Sequence, residues 1–196
     1  MKKRRIKLLI GIIISIVLIG GVGYYIKINT EYTVDIASNN LKSQISKWLG
    51  GRSLEVNEIH KLGSSNTTIV SISFQSGAEG IVVMKQGENG RYKITKSSSR
   101  KRDSGLWVSV ENVNTNKETY AVFYGKNSGD VKSLVGEISV KNEDLNKWIN
   151  SERVITIKLP NRDLIMETTK IPTNNDQETV VNNYPSLLNT EGVRIN

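Results

Sequence analysis

The 196 residues carry 27 Lys or Arg against 19 Asp or Glu, a formal net charge of +8, with one histidine and no cysteine. That composition excludes disulfides, cysteine nucleophiles, thiolate zinc sites and lipid attachment to cysteine, and a single histidine excludes a multi-histidine metal site. No cofactor is expected, and the excess of bases suggests nucleic acid only until their distribution is read.

The chain opens with Lys2, Lys3, Arg4, Arg5 and Lys7, and then runs uncharged from Leu8 to Ile26. At about 1.5 Å per residue this apolar stretch matches a hydrocarbon core of roughly 30 Å, and a helix satisfies its own backbone groups as lipid requires. Residues 1–28 therefore read as a basic cytoplasmic end and a transmembrane anchor, helix 8–26, with everything after it exported by the positive-inside rule. Tyr24 and Tyr25 stand where an interfacial aromatic belt would. A cleaved signal peptide shares the basic and apolar pattern. Against it, the stretch exceeds the roughly 7–15 residues of a signal core, and Gly21-Val22-Gly23 is the one small-x-small candidate for cleavage. Gly11 and Ser15 are spaced for close helix contact, a pairing common by chance in apolar helices.

Six bases and no acids lie in residues 1–28, which leaves 21 bases against 19 acids beyond them. Most of the charge excess is thus a topology signal. An extracytoplasmic location and the lack of a recognition helix disfavour nucleic acid as a partner.

A polar linker, 29–34, precedes an α+β domain expected over 35–171. Asp35 to Leu49 reads as a helix capped by Ser38 or Asn39, with Leu41, Ile45, Trp48 and Leu49 on one face and Gly50-Gly51 ending it. The period then changes to two: Leu54–Leu62, Thr68–Gln75, Gly80–Gln86 and Arg91–Lys96 read as strands of an antiparallel meander, and Asn89-Gly90 is a hairpin turn signal. SSSRKRDS, 97–104, reads as a loop or sub-boundary. Strands follow at Leu106–Val113, Glu118–Tyr124 and Val131–Val140, then a short helix at Asn142–Ser151 with Leu145, Trp148 and Ile149 inward, then strands at Arg153–Leu159 and Asp163–Thr169. Lys47-Trp48-Leu49 and Lys147-Trp148-Ile149 look alike, but three residues fall short of a repeat. The polar stretch 172–196 reads as a partly ordered tail or a segment across the surface.

His60 lies in a strand-like run without the partners a catalytic triad demands, and no G-x-S-x-G elbow is present. Ser98 to Lys101 matches S-x-x-K without the accompanying motifs. Glu55, Glu58, Glu79, Glu88, Asp103, Glu111 and Glu118 could supply the two carboxylates of a glycosidase, though no motif separates them from solvated acids. No catalytic, cofactor-binding or metal site is assigned. The sharpest local feature is the basic cluster Arg91, Lys93, Lys96, Arg100, Lys101 and Arg102, which reads either as a surface for anionic wall polymers and headgroups or as a charged strand edge that discourages pairing.

The MKKRRIKLLIGIII start and hairpins such as GIVVMKQGENGRYKITK resemble small, cysteine-free, N-terminally anchored extracytoplasmic proteins of Gram-positive bacteria. A helix against a curved antiparallel sheet is similar to cystatin-like or nuclear-transport-factor-like domains, which occur in periplasmic and conjugation-channel components. The resemblance covers layout and transfers no functional residue. The expectation is a single-pass membrane protein whose exported domain binds or assembles with other envelope proteins or anionic wall polymers. A cell-wall-active hydrolase using acidic residues and a subunit of a secretion or conjugation channel are the alternatives.

Overall fold

The structure, a computed structural model, describes residues 2–101, 106–127, 131–142, 147–159, 162–172, 179–182 and 185–195. It is α+β: one apolar N-terminal helix, antiparallel sheets and one further short helix. Helix α1 spans Lys2–Glu31, and every residue from Ile10 to Lys27 is exposed. Its segment Ile10–Glu31 is long and apolar enough to cross a membrane. The Ser15 hydroxyl donates to the Gly11 carbonyl oxygen of its own helix at 2.9 Å.

Helix α2 is Leu41–Trp48, shorter than the expected Asp35 to Leu49, because Asp35 and Ser38 draw the preceding backbone into turns. The Asp35 carboxylate accepts from the Ala37 N–H and the Ser38 hydroxyl from the Asn40 N–H, a local alternative to helical bonding that these side chains favour. Leu41 and Ile45 are buried as expected, whereas Trp48, placed inward by the spacing, is exposed at the last turn.

Four strands, β1 (Leu54–Lys61), β2 (Thr67–Phe74), β3 (Glu79–Gln86) and β4 (Tyr92–Arg100), form a meander in sequence order. Residues 97–100, expected in a loop, continue β4 and pair with β3 as far as Glu79 opposite Arg100. A second sheet has the order β5 (Trp107–Asn114), β6 (Thr119–Lys126), β9 (Leu164–Lys170). The third is built on β7 (Ser133–Asn142), which pairs with β8 (Lys147–Lys158) and with the short strands β10 (Thr179–Val181) and β11 (Ser186–Leu188), β11 in turn carrying β12 (Arg194–Ile195). Three short strands thus come from the polar stretch 172–196.

In place of the helix expected at Asn142–Ser151, the described residues are strand: Asn142 ends β7, and β8 runs from Lys147. Trp148 and Ile149 pair opposite Lys141 and Val140, and both are exposed; Glu143, Asp144 and Leu145 lie outside the described residues. The run from Lys147 is rich in Trp, Ile, Val and Thr, which suit a pleated surface, and pairing with β7 outweighs the local i, i+3, i+4 spacing. The likeness of Lys47-Trp48-Leu49 to Lys147-Trp148-Ile149 therefore joins a helix to a strand.

Alternation along the strands stacks these layers. Val70, Ile72, Phe74, Val82 and Met84 face Leu41 and Ile45 of α2. Their neighbours Ile69, Ile81 and Val83 face Trp107, Tyr120, Val122 and Tyr124 of the second sheet. The other face of that sheet, Val108, Val110, Ala121 and Phe123, packs on Leu134, Ile138 and Ile155 of the third. Strands β2, β3 and β6 are buried on both faces, the pattern of a strand held between layers. Gly136 permits a close approach: a Cβ there would meet Val181 and the Phe123 ring.

Candidate functional site

A meander puts alternate turns at opposite ends of its sheet. In the first sheet, the β1–β2 turn and the β3–β4 turn lie at one end, and the start of β1, the β2–β3 turn and the end of β4 lie at the other. Eight-residue strands separate the two ends by about 26 Å at roughly 3.3 Å per residue.

At the first end, α1 docks on the β3–β4 turn. The Asn89 amide donates to the Tyr32 carbonyl oxygen at 3.1 Å and to Asn29 Oδ1 at 3.4 Å. Lys93 Nζ donates to Glu31 Oε2 at 3.0 Å and lies 5.1 Å from the centre of the Tyr32 ring. The Glu31 carboxylate, with Tyr32 contributing, holds the Lys93 ammonium above the usual lysine range. Val34 and Tyr92 exchange backbone hydrogen bonds at 2.8 and 2.9 Å. Gly87 lets the ring of Tyr32 lie on the turn, since a Cβ there would stand 2.7 Å from two ring carbons. A cleft of about 400 Å³ remains, lined by Tyr24, Lys27, Tyr32, Glu88 and Lys93 among others.

The basic cluster does not form one cationic surface. Arg91 is exposed in the turn at the docked end. Lys93 pairs with Glu31, and Lys96 pairs with Glu111 of β5. Arg100 and Lys101 lie at the far end, with Lys101 exposed, and Arg102 lies outside the described residues. The residues between Tyr92 and Arg100 form an edge strand with a bulge opposite Val83 and Met84, and charges plus a bulge are how natural sheets blunt such an edge.

The acids are likewise engaged one by one. Lys42 contacts Glu55 at 2.5 Å, and Arg162 joins Glu58 of β1 to Glu167 of β9 at 3.0 and 3.2 Å. Buried Glu79 accepts from Ser73 at 2.5 Å and lies 3.5 Å from Lys126 Nζ. Glu118 accepts from Lys170 at 2.7 Å and Tyr120 at 2.6 Å, and Lys170 foremost, then Tyr120, hold its carboxyl below the usual range. Glu88 lines the docked cleft, and Asp103 lies outside the described residues. His60 is exposed on β1, its Nε2 3.0 Å from the Thr168 hydroxyl of β9. Ser98 bonds the Tyr124 hydroxyl at 2.8 Å and is not beside a base. Among the described residues no three His, Asp or Glu side chains gather where a metal could be held.

The far end holds a second cleft, of about 390 Å³, lined by Arg52, Ser53, Phe74, Gln75, Ser76, Ala78 and Ser99. Its backbone is fixed. Gly50 and Gly51 sit at φ +78° and +82°, left-handed positions suited to glycine, and turn the chain from α2 into Arg52. The Ser46 hydroxyl donates to the Arg52 carbonyl oxygen at 2.7 Å, and the Gln75 N–H donates to Ser53 O at 3.3 Å. The polar side chains are not fixed in this way: those of Arg52, Ser53, Gln75, Ser76 and Ser99 make no hydrogen bond or ion pair among the described residues. Among the described residues no carboxylate lines the cleft.

Reading the sequence for motifs missed this group, because its members come from three separate stretches of chain. The available signal was the meander itself, which carries Gly50-Gly51-Arg52-Ser53 and Ser76-Gly77 to the same end.

Comparison with protein-family models, curated proteins and solved structures finds no match to this chain.

Proposed function

We propose that this chain is a single-pass, membrane-anchored module that binds or assembles with envelope components, with α1 as the anchor and the layered sheets outside the cytoplasm. The observation that carries this reading is the joint between α1 and the β3–β4 turn. A helix whose side chains are exposed from Ile10 to Lys27 is attached to the sheets by Asn89, Lys93 and the Val34–Tyr92 pair. Exposed Ile, Leu and Val over that length are costly in water and favourable in lipid. The five bases before Leu8 set the orientation by the positive-inside rule. Tyr24 and Tyr25 then stand at the outer interface.

Alkaline phosphatase fused after Lys27 is expected to be active and membrane-bound. An inactive fusion overturns the orientation, and release of the mature protein into the medium overturns the anchor. Purification of the full chain in detergent separates the two forms of the reading: a stoichiometric set of membrane partners marks a channel or assembly subunit, and isolation alone marks a stand-alone binding module.

A further inference from the structure

We propose that the cleft at the end of the first sheet remote from α1 binds a phosphate group, with Arg52 as its principal ligand and Ser53, Gln75, Ser76 and Ser99 completing the shell. The proposal names a ligand for the binding module described above and rests on that reading for its biological setting. The argument starts from what the side chains leave unused. A guanidinium offers five N–H donors, an amide two, and three hydroxyls one each, and none of these is taken up within the protein among the described residues. Lys93, Lys96, Glu55, Glu58 and Glu79 of the same sheet have partners, whereas Lys61 and Lys85, like the side chains of the cleft, have none among the described residues; what sets the cleft apart is that five such side chains line one concavity. A donor-rich cleft with no carboxylate among its described lining residues favours an anion.

Shape selects phosphate over carboxylate. The donors come from the start of β1, the β2–β3 turn and the end of β4, so they surround the cleft instead of lying in one plane. A tetrahedral anion presents oxygens in several directions, one edge of it matching the guanidinium fork in a bidentate pair. The bonds from Ser46 to Arg52 O, from Gln75 N–H to Ser53 O and from Gly77 N–H to Phe74 O at 2.9 Å hold the frame, so binding orders side chains and not backbone. Exposed Lys101, two residues beyond Ser99, adds charge beside the cleft. The cleft lies about 26 Å along the strands from the turn on which α1 docks, and the sources compared are free phosphate and a phosphodiester polymer.

The test uses the full chain in detergent micelles, titrated by calorimetry with sodium phosphate and, separately, with soluble poly(glycerol phosphate), at constant ionic strength set with chloride. Saturable binding is expected, weakened about tenfold or more in Arg52→Gln, less in Ser76→Ala with Ser99→Ala, and unchanged in Arg153→Gln on β8. Tighter binding of the polymer identifies the polymer as the source, and equal or tighter binding of inorganic phosphate identifies the free anion. Absence of saturable binding to both probes, unchanged binding in Arg52→Gln, or equal losses in Arg52→Gln and Arg153→Gln overturns the proposal. Its failure is distinct from that of the anchored module, because titration in micelles does not depend on topology and the phosphatase fusion does not depend on phosphate.

Discussion

The two ends of the first sheet are built from the same four strands and differ in how their polar groups are used. At the end where α1 arrives, Asn89, Lys93 and Glu31 spend their hydrogen bonds on one another and on the Tyr32 backbone, and Tyr32 lies over Gly87. At the other end, the backbone is also tied, but five polar side chains bond nothing among the described residues. Polar groups that satisfy one another make a joint, and polar groups that do not are available to a ligand. The difference also explains why the basic cluster on β4 is a poor description of the surface: its charges are divided between the joint, an ion pair to the second sheet and the open end.

Gly87→Val should break this contrast most severely. A side chain there runs into the Tyr32 ring, and forcing it in costs roughly 1–3 kcal/mol; the expected result is a lower midpoint in urea unfolding and loss of spin-label distance restraint between exposed residues 30 and 91. Unchanged restraint in this variant would show that Tyr32 does not hold the joint. Asn89→Ala removes hydrogen bonds without a clash and is expected to lower stability by about 0.5–1.5 kcal/mol, again with a looser joint.

At the open end the same kind of change should do almost nothing to the fold. Gln75→Ala, Ser76→Ala and Ser99→Ala, alone or together, are expected to stay within about 0.5 kcal/mol of the parent, as surface changes without partners do. A large loss of stability from any of them would mean that the donors serve the fold, and the contrast between the ends would collapse.

The smallest effect is one of pH. The Lys93 ammonium is held above the ordinary lysine value of 10.5 by Glu31 and Tyr32. A raised pKa in the folded state means that the contribution is full below the unfolded value and is lost as pH rises through the folded one. On the alkaline side the joint should therefore loosen in strongly alkaline solution, measured by the same spin-label pair, while a labelled pair across the open end stays unchanged. Lys93→Gln is expected to abolish that pH dependence.

Much of the fold was legible where the signal is local. The strands Leu54–Lys61, Thr67–Phe74, Glu79–Gln86 and Trp107–Asn114 follow alternating or continuous apolar runs between turn residues, and Trp107, Tyr120, Phe123 and Tyr124 are buried as their apolar character implies. Local spacing misled at Trp148 and Ile149, where Leu145, Trp148 and Ile149 imitate a helical face and pairing with β7 decides otherwise. It misled again at Trp48, whose position at the last turn of α2 takes it off the sheet. The candidate site was not legible at all as a motif: Arg52 and Ser99 are 47 positions apart and are joined only by the meander.

The sequence by itself determined the apolar N-terminal helix and the antiparallel α+β layout, because both rest on periodicities carried by neighbouring residues: an unbroken apolar stretch and side chains that alternate between two faces. Which charges meet was decided only by the tertiary structure. Lys93 finds Glu31 across 62 positions and Arg162 finds Glu58 across 104, while Arg52 finds no partner among the described residues. An ion pair forms wherever the packing of apolar faces happens to bring two charges together, and that packing is a property of the whole chain and of no single stretch of it.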